Sequence, residues 1–168
     1  MKTTVELQAG RINTQAWAPI LELAVREVFE RMLSCKVTTP ETLAEEPLDI
    51  TAMIGLAGPL RGVLGLQCSY KSAAPLACKM LGIEESEVSP EASEAFGEIC
   101  NMIAGNFKSK IAELGSRCLL SLPAVVMGND CRLRALAASP ALELKLLVEN
   151  MPVVISLTTH TTISEVQR

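Results

Sequence analysis

Glu94-Ala95-Phe96-Gly97-Glu98-Ile99-Cys100-Asn101-Met102-Ile103-Ala104-Gly105-Asn106 lies in the middle of a long apolar-periodic stretch of the chain. Ser89 and Pro90 precede it as an N-cap and a first helical residue, and Gly115 follows Leu114 as a stop. Glu91 and Glu94 suit the positive end of a helix dipole. Together these signals predict one helix of about seven turns ending at Leu114. Allowing about 100° of rotation per residue, Phe96, Ile99, Cys100, Ile103, Phe107, Ile111 and Leu114 share a buried face. Glu94, Glu98, Asn101, Gly105, Lys108 and Ala112 fall on the opposite face, within about 80° of Glu98. Glu98 and Asn101 are therefore i, i+3 neighbours aimed away from the core. Gly105 costs such a helix about 1 kcal/mol relative to Ala. A low surface over which another backbone can approach would account for it.

On the N-terminal side of this helix, Glu84-Glu85-Ser86-Glu87-Val88 reads as an acidic loop. Ser72 to Leu81 reads as a shorter helix closed by Gly82 at C′. Asp49 to Ala57 and Gly62 to Ser69 read as strands joined by the turn Gly58-Pro59-Leu60-Arg61. Gly55, Gly58, Gly62 and Gly65 suit a tight hairpin or close packing; no Gly-Lys-Ser/Thr follows, so they form no phosphate loop. The segment from Lys36 to Pro47 is a polar connection. Before it, Thr14 is the N-cap of a helix running to about Leu33, with Trp17, Leu21, Ala24, Val28 and Met32 along one stripe.

Beyond Gly115 the chain reads as strands. Leu119 to Met127 precedes the turn Gly128-Asn129-Asp130, and Arg132 to Ala137 returns. Leu142, Leu144, Leu146 and Val148 alternate mostly with polar residues, the period-two pattern of a half-buried strand. Asn150-Met151-Pro152 then turns the chain into Val153 to His160. The hairpins 49–69 and 142–160 read as weak pseudo-repeats. The order of elements predicts an α+β domain with helices packed on one mainly antiparallel sheet. One domain spans residues 1–168, with 1–13 and the tail 161–168 peripheral.

The 168 residues suffice for one continuous core, and 49% hydrophobic with 20% charged residues describes a globular chain. A net charge of −4 and the lack of a basic stripe argue against nucleic-acid binding. The first residues, MKTTVELQAGR, lack a secretory pattern, and no apolar run approaches the roughly 20 residues that span a bilayer. A soluble, cytoplasmic protein with no membrane contact is expected. No two of the six cysteines lie within four residues of each other and there is one histidine, so no zinc-site spacing is present. Cys35, Cys68, Cys78, Cys100, Cys118 and Cys131 read as buried, reduced thiols. His160 has no identifiable Cys or Ser partner and reads as structural.

The run from Glu94 to Asn106 resembles the signature helix of the CheC/CheX/FliY family of chemotaxis phosphatases. That signature is an Asp or Ser, three residues, a Glu, two residues and an Asn, with a Pro some two dozen residues downstream. Glu98 and Asn101 match it. Glu94 stands where the family has Asp or Ser, and Pro123 lies near the downstream Pro with imperfect spacing. A single copy of the motif resembles the CheX branch; CheC-type members carry two. The likeness extends over most of the chain, from about Thr14 to His160, and is specific at the signature helix.

The resemblance implies a CheC/CheX-like fold and a phosphatase acting on the aspartyl phosphate of a CheY-type receiver. Glu98 and Asn101 would be its catalytic pair, with Asn101 orienting the attacking water and Glu98 docking on the receiver's Lys. Glu94, Gly105 and Lys108 would belong to the docking surface, while Asn106, which flanks the buried side, reads as supporting structure. No metal or cofactor is expected of this chain, since the Mg²⁺ sits in the receiver. A homodimer is also implied. A second reading is a CheX-like binding module or flagellar-switch-type scaffold that docks receivers without hydrolysis. A third is an interaction domain that dimerises through a strand edge, with the helix face unused. Retention of both Glu98 and Asn101 favours the enzyme, because a scaffold has no use for the carboxamide.

Overall fold

In a computed structural model, residues 14–42, 45–84, 91–112, 114–128 and 142–159 are described. Ser89, Pro90, Cys131, Arg132 to Ala137, His160, the two termini, most of the acidic loop at 84–88 and most of the turn at 128–130 lie outside these residues.

The chain opens with a 3₁₀ turn, Thr14–Trp17, and continues as α1 (Ala18–Arg26) and then π-helical turns over Glu27–Met32. The predicted single helix is thus present but not uniform. Its wider turns move the apolar stripe on by one residue: Phe29 and Leu33 are buried after Ala24, while Met32 is 58% exposed. Two residues of the predicted connection form a short strand, β1 (Val37–Thr38).

The strands β2 (Ile50–Ala57) and β3 (Gly62–Cys68) form the predicted hairpin. Gly58 there takes φ 121°, and a side chain on Gly62 would run into the Thr158 carbonyl. The next helix, α2 (Tyr70–Leu81), starts two residues earlier than predicted because Ser69 is its cap: Ser69 Oγ accepts from Ser72 N at 3.2 Å. Gly82 closes it at φ 68°.

The long helix α3 covers Glu91–Ser109, about five turns. It stops short of Leu114 because the chain tightens after Ser109. Lys110 N donates to Phe107 O, Ile111 N to Lys108 O and Leu114 N to Ile111 O, all i→i−3 bonds. Ile111 and Leu114 remain buried, so the apolar period outlasts the helix that it implied.

The predicted strand from Leu119 to Met127 is broken into β4 (Leu119–Leu120) and β5 (Ala124–Met127), both paired to β2. Pro123 has no N–H for the ladder, and Ser121 Oγ accepts from Gly55 N at 2.8 Å in place of a carbonyl. The last hairpin is β6 (Leu142–Val148) and β7 (Met151–Thr159). Its turn is Glu149-Asn150, at φ 50° and 64°, so Met151 and Pro152 belong to β7 rather than to the turn. Pro152 pairs with Leu147 of β6, before the pairing of β7 with β3 begins at Val153, which is where a strand tolerates proline.

Among the described residues these strands form one antiparallel sheet in the order β1-β6-β7-β3-β2-β4, with β5 also on β2. The order is palindromic: two hairpins meet at β3 and β7, and each outer strand, β6 and β2, is flanked by a short strand from the other half. This is the α+β architecture expected, with α3 against β2 and β3, and α1 and α2 beside it. The core takes all three phenylalanines of the chain, Phe29, Phe96 and Phe107, fully buried with Leu21, Ile54, Leu64 and Leu66. Each such side chain contributes roughly 1.5–3 kcal/mol relative to an exposed one. Among the described residues no helix is long and apolar enough to cross a membrane.

Candidate active site

Phe96, Ile99, Cys100, Ile103 and Phe107 are buried, which anchors α3 through one face and turns Glu98 and Asn101 outward. At the centre of this anchor Cys100 Sγ lies 3.6 Å from the Ala52 carbonyl oxygen and 3.8 Å from that of Leu64. Burial pushes its thiol up to about 12, so it is an uncharged packing group at neutral pH. Burial likewise raises the thiols of Cys35, Cys68 and Cys118. Among the described residues no three of His, Cys, Asp or Glu come together as a metal site would require.

On the outer face Glu98 is exposed and Asn101 partly so, and Asn101 Nδ2 donates to Glu98 Oε1 at 3.2 Å. Glu94 is exposed one turn earlier. Gly105 is open: a Cβ there would meet nothing within 4 Å. Lys108 is turned differently from a free docking cation. Its Nζ donates to the Cys118 carbonyl oxygen at 2.7 Å, tying the end of α3 to the entry of β4.

Pro123 comes to the signature helix from a distance in sequence. A Cβ on Gly97 would lie 3.2 Å from Pro123 Cβ and 2.9 Å from Val125 Cγ2. The glycine thus lets the segment around β5 approach α3 beside Glu98. Around it the β4–β5 segment exposes Leu119, Leu122 at 88%, Val126 and Met127, a group that sequence reading did not single out.

Asn106 is a support, as its place beside the buried face suggests. Its Nδ2 donates to the Ala24 carbonyl oxygen at 3.2 Å and to Glu27 Oε2 at 2.9 Å, where α1 gives way to π-helical turns. Glu27 also pairs with Lys110 at 2.5 Å and with Arg31 at 3.7 Å. Hydrogen bonds from Lys110 and then Asn106 hold the Glu27 carboxyl below its ordinary range. Neither Glu27 nor Lys110 stands out in the sequence, since nothing local marks a pair whose members lie so far apart in the chain.

The fold, helices packed on one palindromic antiparallel sheet, is that of a CheC/CheX-like protein. The chemotaxis protein CheX of Vibrio vulnificus superposes with a TM-score of 0.74 at 21% identity, over 91% of this chain and 100% of that one. The structure of the CheX–CheY–BeF3–Mg²⁺ complex from Borrelia burgdorferi matches at 0.70 and 19% identity, over 86% and 98%. By sequence, the CheY-P phosphatase CheX of Thermotoga maritima is 28% identical over 126 residues, covering 70% of this chain and 81% of the relative. The family model for the chemotaxis phosphatase CheX matches residues 50–147, which contain the whole of α3. The chain belongs to the chemotaxis phosphatase CheX family.

Proposed function

We propose that this chain hydrolyses the aspartyl phosphate of a CheY-type response regulator, using Asn101 on the attacking water and Glu98 to dock. The observation that carries the reading is the outward pair Glu98 and Asn101 on a helix whose other face is locked in the core. Family membership, the activity in the name of the Thermotoga maritima relative and the CheY partner in the Borrelia burgdorferi complex support it.

In the reaction a water oxygen bonds to phosphorus while the phosphorus–oxygen bond to the receiver's aspartate breaks. The electron pair goes to the carboxylate, and the water's proton leaves with the phosphate product. Such a transfer needs a water held in line, which is chiefly a positioning task. A carboxamide suits it, being neutral throughout and carrying donor and acceptor at a fixed separation. Glu98 offers a carboxylate one turn away for a charge-assisted bond to the receiver's Lys. Glu94 and the open surface at Gly105 extend the docking face, while Lys108 steadies its C-terminal end. Mg²⁺ belongs to the receiver, and this chain supplies no cofactor. The protein works as a homodimer on this reading.

The test follows loss of phosphate from CheY-type receivers phosphorylated with a small-molecule donor, with wild type and Asn101→Ala side by side. Wild type accelerates the loss; Asn101→Ala keeps its circular dichroism spectrum and is slower by about 100-fold or more. Equal activity in the variant would remove Asn101 from the mechanism. No acceleration by wild type on several receivers of the same cell would leave a docking module.

A further inference from the structure

Asn101 sits between two glycines along its helix. The i−4 and i+4 positions beside it are Gly97 and Gly105, which have no side chain to touch it. Lys108, two turns on, has its ammonium on the Cys118 carbonyl. Among the described residues the carboxamide has one hydrogen-bonding partner, Glu98, and it engages that partner through Nδ2 at 3.2 Å.

An ionised carboxylate only accepts, so it selects one of the two ways round for the amide. With Nδ2 held by Glu98, Oδ1 is the atom left facing out. This polarity matters for a nucleophilic water. A water that donates to Oδ1 keeps a lone pair to aim at phosphorus, whereas an outward N–H would occupy a lone pair of the water. Glu98 has a second carboxylate oxygen to offer a partner's cation, so docking and orientation need not compete for the same atom.

We propose that Glu98 is a positioning residue for Asn101, fixing the carboxamide with its oxygen outward before any receiver arrives. The inference rests on the phosphatase reading above and adds a second duty to a residue whose first is docking. Docking alone predicts that removing Glu98 raises KM and leaves kcat intact; orientation predicts a loss in kcat as well.

Two measurements test it, with Glu98→Ala and Glu98→Asp beside wild type. In steady-state hydrolysis at saturating phospho-receiver, Glu98→Ala loses kcat by about threefold or more besides its rise in KM, and Glu98→Asp, which keeps an acceptor, recovers part of that loss. In the free protein, nuclear magnetic resonance of the Asn101 side-chain amide shows a smaller temperature coefficient in wild type than in Glu98→Ala. A wild-type kcat in Glu98→Ala, or amide protons equally exposed in the two proteins, would overturn the orienting role. Full activity in Asn101→Ala is a different result: it sinks the phosphatase mechanism itself, whatever Glu98 does.

Discussion

An added Cβ meets nothing within 4 Å at Gly105 but falls 2.9 Å from Val125 Cγ2 at Gly97, so two glycines two turns apart on one helix answer to different constraints. Ala at Gly105 relieves the cost of a helical glycine, and Gly105→Ala is expected to stabilise the protein by about 1 kcal/mol in urea titrations. It also raises the surface on which the receiver would sit, so KM for the phospho-receiver rises. Gly97→Ala meets Val125 and Pro123 instead, and a net loss of about 1–2 kcal/mol is expected in the same titration. A stabilised Gly105→Ala with unchanged KM would mean that no backbone approaches there. Gly105 is legible in the sequence because the face of a helix follows from residue spacing. Gly97 is not, because its constraint comes from Val125 and Pro123, far along the chain.

Between elements, the tie from α1 to α3 through Asn106, Glu27 and Lys110 sets where the signature helix lies. The folded-state pKa of Glu27 is lowered from an ordinary value of 4.5, which means that the ionised form is the one the fold stabilises. Its contribution is therefore full above pH 4.5 and is lost as pH falls through the lower folded value. Glu27→Gln is expected to cost about 1 kcal/mol at neutral pH, and its deficit against wild type to shrink as pH drops below 4.5. Denaturant midpoints of the two proteins across pH 3–7 check this; a deficit independent of pH would show that packing, not charge, carries the contact. The same junction explains the misplaced Met32. An unbroken α-helical period puts Met32 on the buried stripe, whereas π-helical turns rotate it out to 58% exposure.

Over the whole molecule, the palindromic strand order gives substance to the pseudo-repeat read from the two hairpins. It also leaves the β4–β5 side with exposed Leu119, Leu122, Val126 and Met127. Apolar side chains along a sheet edge are a liability that assembly often removes. The homodimer implied by the family resemblance is expected to show in sedimentation equilibrium as a mass about twice 18.0 kDa. A single-chain mass at high concentration would rule it out. Family membership makes the phosphatase reading a matter of one helix face, and that face stands clear of the core on the scale of the entire fold.

The sequence by itself determined the fold class, the two hairpins and the buried and outward faces of α3, on which the family resemblance singled out Glu98 and Asn101. The elements and faces follow from a local period, of about 3.6 residues in a helix or two in a strand, which needs no knowledge of what lies opposite. The tertiary structure alone decided where α3 stops, the break at Ser121–Pro123, the inward turn of Lys108, the approach of Pro123 to Gly97 and the clasp of Asn106 on Glu27. Most of these depend on groups far apart in the chain that meet only after the core closes, and the two chain breaks on whether a turn or a side chain satisfies the backbone. A repeating pattern along the sequence carries no record of either.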